Sequence, residues 1–178
     1  SSPVNAPENV TEKTPEESHS EIRYLSPEDF PDLPQNIAEY LRTEGYSIPQ
    51  SYWPFTPHNV IQGAFARPEQ KDWAVLASKD ESSSIFVFWN GSIENMAVLA
   101  TRPDSRFKQY AGEDIGVYFS RVISTVDKTF IVKHNEWYTP TNELPPLDHE
   151  GIDDAFIEKA SVVHYLYEGE WLTLTGAD

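Results

Sequence analysis

Apolar positions recur along this chain with two spacings, and the change from one to the other divides it. Near the start, Leu33, Ile37, Tyr40 and Leu41 fall on one helical face, and Gly45 follows where a left-handed C-cap belongs. The pattern predicts a helix over residues 34–44 whose apolar stripe packs on a sheet. Just before it, Ser26-Pro27-Glu28-Asp29 reads as a short helix start: a capping hydroxyl, Pro at the first position, then acids at the positive dipole end. Residues 46–58 are rich in Pro and aromatics, and Pro49, Pro54 and Pro57 exclude a helix interior or a central strand. An ordered loop pinned by Trp53 and Phe55 is expected there.

Beyond that loop the apolar segments shorten to strand length. Residues 59–65, 72–78, 84–89 and 92–101 are separated by short polar turns, including Asn90-Gly91, which suits antiparallel neighbours. Segments 73–77 and 85–89 are apolar on both faces, the mark of central strands covered on both sides. Residues 102–114 read as loop or short helix, and 115–124 and 129–134 as two more strands around a turn at Asp127-Lys128. Residues 152–159 read as one or two helical turns. A last hairpin, 161–167 and 170–174, closes around Glu168-Gly169. The expected fold is α+β, mainly β: about seven or eight antiparallel strands with one main N-terminal helix.

Composition sets the limits of this domain. Residues 1–23 hold only Val4, Val10 and Ile22 as large aliphatics among Ser, Pro, Glu, Thr and Asn, too few to offset the entropy of ordering, so a disordered leader is expected. Residues 24–178 form the single α+β domain. A leader of this kind without an initiator Met is what remains when a secretory signal is removed. The expectation is an exported protein, periplasmic or tethered to a membrane, with trimming of a cytoplasmic chain as the alternative.

The formal net charge of −16 is unevenly placed: residues 59–133 carry 9 acids and 9 bases, whereas 136–178 carry 10 acids and one base, Lys159. Phosphate neutralisation needs clustered Lys and Arg, so no nucleic-acid partner is expected. No apolar run approaches the ~18 residues of a membrane helix, so no integral membrane segment is expected. Cysteine is absent, which excludes disulfides, thiolate metal sites and a cysteine nucleophile.

The segment Asn59-Val60-Ile61-Gln62-Gly63-Ala64-Phe65, followed by Asp72-Trp73-Ala74-Val75-Leu76, resembles a pattern in uncharacterised bacterial proteins, many of them exported. Leu33-Pro34 and Ile48-Pro49-Gln50 fit the same group, which implies an origin and no mechanism. The Gly-x-Phe to Asp spacing is also similar to integrin-type calcium-binding propeller repeats. The intervening loop, residues 66–71, has one acid and two bases and lacks the about six to eight oxygens calcium takes.

No Gly-x-Ser-x-Gly elbow, phosphate-cradling Gly-rich loop or His-Glu-x-x-His pair is present, and no cofactor is expected. His134 and Glu136 share a face if their segment is extended, as an acid/base or ligand pair would require; the alternative is a solvated strand end. His164 alternates with Val162 and Leu166 and is expected to face the sheet interior. Asp148, Glu150, Asp153 and Asp154 supply enough oxygens for a hard cation, or else Asp153 and Asp154 meet first-turn amides of a helix. Tyr52, Trp53 and Phe55 in one loop and Trp137-Tyr138 in another are candidates for a binding surface if exposed, and for sheet cover if buried.

Three readings follow. The first is a non-enzymatic exported domain that binds a protein partner, such as an envelope protein, or a small ligand through its aromatic loops. The second is a hydrolase or metal-assisted enzyme using His134 and Glu136 or the acids near Asp148. The third is a structural accessory domain.

Overall fold

A computed structural model of the chain describes residues 22–138 and 143–174. The expected leader lies almost wholly outside the described residues. The chain folds as α+β, mainly β, with its strands antiparallel.

The first helix follows its local signals. Ser26 caps a 3-10 turn, Pro27–Asp29, through a reciprocal capping box with Asp29. Helix α1, Gln35–Thr43, buries Ile37, Ala38 and Leu41. It stops in a Schellman motif: Gly45 takes φ +86, its N–H donates to the Arg42 carbonyl, and the Tyr46 N–H donates to the Leu41 carbonyl.

Two four-stranded sheets make the body. In the first, β3 (Val60–Gly63), β4 (Asp72–Lys79), β5 (Ser82–Phe88) and β6 (Met96–Pro103) lie in that order. In the second the order is β12 (Glu170–Leu174), β11 (Ala160–Tyr167), β10 (Gly151–Phe156) and β9 (Arg121–Val126). Two small pairs complete the fold, β1 (Arg23–Leu25) with β2 (Ile48–Gln50) and β7 (Lys108–Tyr110) with β8 (Val117–Phe119).

Alternation along β4 and β5 separates their two faces. Val75, Ala77, Phe86 and Phe88 pack under α1, while Ala74, Leu76, Ile85 and Val87 share a core with Ile123 and Ile152 of the second sheet. Both strands are thus central and covered twice. The sheets meet closely beside β3 and β9, where Thr125 Oγ1 donates to the Gln62 carbonyl at 2.8 Å. A Cβ on Gly63 would sit 2.8 Å from Thr125 Cγ2, so only glycine allows that approach. The outer face of the second sheet is covered by α2, Lys128–Tyr138, through Ile131 against Val126, Val163 and Tyr165.

The described residues hold twelve strands in four sheets rather than about seven or eight, and two α-helices rather than one. Segment 129–134 is helical, not extended. Asp127 caps it, accepting from the Phe130 N–H at 3.0 Å, and Ile131, His134 and Asn135 recur at helical spacing on its buried side. Residues 152–156 are a strand, not helical turns, because Ile152, Asp154 and Phe156 alternate inward and pair with β9 and β11. Segment 115–124 breaks at Ser120, whose N–H and hydroxyl both donate to the Phe107 carbonyl. No helix of the described residues is long and apolar enough to cross a membrane.

Candidate functional site

The loop over residues 51–58 is closed at its base by a buried polar clasp. Gln50 Nε2 donates to the His58 carbonyl at 2.7 Å, and the His58 N–H donates to Gln50 Oε1 at 2.9 Å. The Ser51 N–H donates to His58 Nε2 at 2.8 Å, so Nδ1 holds the ring proton and donates to the Thr56 carbonyl. Burial lowers the His58 pKa, which favours this neutral ring. Asn59 sits beneath with φ +73 and no solvent exposure. Its side chain donates to the Pro49 and Arg121 carbonyls and accepts from the Ile123 N–H.

Above this base the rings point outward. Trp53 and Phe55 are 58% and 78% exposed and meet edge to face, with centroids 5.2 Å apart. Neither covers the sheet. Tyr52 behaves differently: its ring packs edge-on against Tyr118 at 4.5 Å, and its hydroxyl donates to Glu158 Oε1.

The second aromatic pair stands at the end of α2, where Trp137 and Tyr138 are 83% and 54% exposed. Tyr138 rests against the His134 ring, and His134 Nε2 lies 2.7 Å from Ser161 Oγ. Glu158, which holds Tyr52, lies in the β10–β11 turn, and Ser161, which holds His134, follows it on β11. One hairpin therefore anchors both aromatic groups.

The His134 and Glu136 pair is not formed as expected. Two residues apart on a helix they point to different sides, about 200° apart at 100° per residue. His134 is buried and Glu136 exposed.

The four acids near residue 148 also go separate ways. Asp148 Oδ1 accepts from the Tyr165 hydroxyl. Glu150 Oε1 accepts from the Ala64 N–H at 3.0 Å and ties the segment to the end of β3. Asp153 and Asp154 are adjacent on β10 and face opposite sides of the sheet, so neither meets first-turn amides. Among the described residues no three His, Asp or Glu converge as a metal site would require.

The two aspartates have opposite electrostatics. On the inner face, Arg121 Nε and Nη2 donate to the two oxygens of Asp154, each at 2.9 Å, and His164 Nε2 lies 2.9 Å from Asp154 Oδ2. Burial alone would raise the Asp154 pKa. The hydrogen bonds and charges of Arg121 and His164 overcome it and hold the carboxyl far below the usual carboxylate range. Asp153 lies on the outer face beneath α2, where burial, reinforced by the Asp154 charge, pushes its carboxyl up to about 6 against the Ser161 hydrogen bond and the His164 charge. Its Oδ1 has no hydrogen-bond partner among the described residues.

A raised carboxyl favours the folded state in acid: its stabilisation is full below pH 3.8 and is lost as pH rises through about 6. Asp153→Asn is therefore expected to be more stable than the parent at pH 7.5, by about 1–3 kcal/mol, with the difference closing toward pH 4. Urea denaturation at the two pH values measures it. A variant less stable than the parent at pH 7.5 contradicts the assignment.

His164 faces the sheet interior, as its alternation implied. Its partners, Asp154 and through it Arg121, carried no local sequence signal, since Arg121 lies 33 residues before the acid it binds. No protein-family model, curated protein or solved structure matches this chain.

Proposed function

We propose that this chain is a non-enzymatic binding domain whose contact surface is the tip of the 51–58 loop, centred on Trp53 and Phe55, with Trp137 and Tyr138 as a second contact. The supporting observation is the contrast within one loop. Its base is held by buried hydrogen bonds, while its two apolar rings stand in water and pack mainly on each other. Exposed aromatic rings on a fixed backbone offer large apolar area with little conformational entropy left to lose on association. The partner suited to them is a protein surface with an apolar recess.

A displayed library of random peptides, panned against the chain, tests the reading. Peptides that bind the parent are expected to lose about 30-fold or more in affinity against the double variant Trp53→Ser/Phe55→Ser, a loss of about 2 kcal/mol or more. Their affinity should be unchanged with Val98→Ser, a substitution at an exposed position on β6. Enrichment only of peptides indifferent to Trp53 and Phe55 overturns the assignment.

A further inference from the structure

A cavity of about 470 Å³ opens between the free edge of β6 and the inner faces of β10 and β11, within the roughly 300–1,000 Å³ of small-ligand sites. Its walls are apolar, formed by Phe107, Phe156 and Val162 with Ala100 and Ala160. Its charged lining is almost all of one sign: Arg102, Arg106, Arg121 and Lys159, with Asp154 as the single acid.

That sign runs against the rest of the molecule. The chain has 29 acids and 13 Lys and Arg, yet four of those bases line one cavity, among them the only base of residues 136–178. Asp154 is already neutralised by Arg121 in a two-pronged pair and by a hydrogen bond with His164. Arg121 is itself fully engaged, since its remaining N–H groups reach the Ala100 and Ser83 carbonyls. Arg102, Arg106 and Lys159 remain exposed around the opening. Lys159 is held over the Phe156 ring with its ammonium 4.9 Å from the centroid, at the boundary between apolar wall and solvent.

Like charges gathered beside an apolar cavity repel one another and draw anions inward. We infer that this cavity binds a small organic anion, its carboxylate or phosphate head at Arg102, Arg106 and Lys159 and its apolar body against Phe107, Phe156 and Val162. The site is separate from the Trp53 and Phe55 surface and stands or falls without it.

Isothermal titration with four probes tests the inference: octanoate, octyl phosphate, 1-octanol and inorganic phosphate. At least one of the two amphiphilic anions is expected to bind, and which one does identifies the head group. Octanol lacks the charge and inorganic phosphate the apolar body, so each should bind at least about tenfold more weakly. Arg106→Gln/Lys159→Gln changes two exposed side chains outside the core and should weaken the anion about tenfold or more. Trp53→Ser/Phe55→Ser should leave it unchanged. Failure of both amphiphilic anions to bind at millimolar concentration overturns the proposal. So does binding of octanol equal to that of the anions, or full affinity in the Arg106 and Lys159 variant.

Discussion

Arg121→Met lowers the free energy of unfolding by about 3–5 kcal/mol at pH 7, because it strands a charged carboxylate in the protein interior. Arg121 is the bulkiest fully buried side chain among the described residues, 1% exposed, and its guanidinium lies 5.0 Å from the centre of the Phe107 ring. Methionine keeps much of the apolar stem and removes every donor. Asp154 then retains only His164 as a side-chain partner in the cluster. The double variant Arg121→Met/Asp154→Leu removes both charges and should recover most of the loss, since a buried pair is worth little against a well-packed apolar replacement.

Acid provides a second check on the same pair. Asp154 has a depressed pKa in the folded chain, so its contribution is full above the unfolded value of 3.8 and disappears as pH falls toward the folded value. The deficit of Arg121→Met should therefore shrink below pH 4. Guanidinium titrations of the parent and both variants at pH 7 and pH 3.5 measure all three effects. A deficit below about 1 kcal/mol at pH 7 shows that the pair is not what holds Asp154 ionised.

Asn59→Ala is expected to cost about 3–4 kcal/mol, and Asn59→Gly about 2 kcal/mol. Both remove the amide that joins the Pro49 and Arg121 carbonyls to the Ile123 N–H, leaving buried polar groups without partners. Alanine keeps a Cβ at φ +73 without the polar group that eases Asn into this region, whereas glycine has no Cβ to strain. The difference between the two variants isolates the backbone contribution. Equal destabilisation by the two, measured by thermal and urea unfolding, removes the left-handed backbone from the explanation.

What could be read from the sequence depended on how far apart the deciding residues lie. The stop of α1 needs only Gly45, one turn past the last apolar residue of the stripe, Leu41, and β4 and β5 announce themselves by being apolar on both faces. The final hairpin follows from Glu168-Gly169, both at positive φ. Helix α2 was less legible because the β-branched and aromatic run Thr129-Phe130-Ile131-Val132 imitates a strand. Its one local correction is Asp127, a residue equally at home in a turn. Strand β10 was hidden for the opposite reason: two adjacent acids look solvated until Arg121 arrives from another strand.

The same limit applied to the sites. Tyr52, Trp53, Phe55, Trp137 and Tyr138 were identifiable as aromatic clusters, but a ring's identity does not say which way it faces. Tyr52 turned inward to Tyr118 while its neighbours turned out. The cationic cavity left no trace in any window of the sequence, because its bases come from β6, the 3-10 turn Asp104–Phe107, β9 and the β10–β11 turn.

The clasp made by Gln50, His58 and Asn59 has a consequence for how this protein can change. It holds the two ends of the loop through groups that lie outside residues 53–55, so those three side chains can be exchanged without disturbing the fold beneath. Such a division of labour lets new recognition arise by exchange of a few surface side chains, and makes this short segment the natural place to graft a foreign epitope.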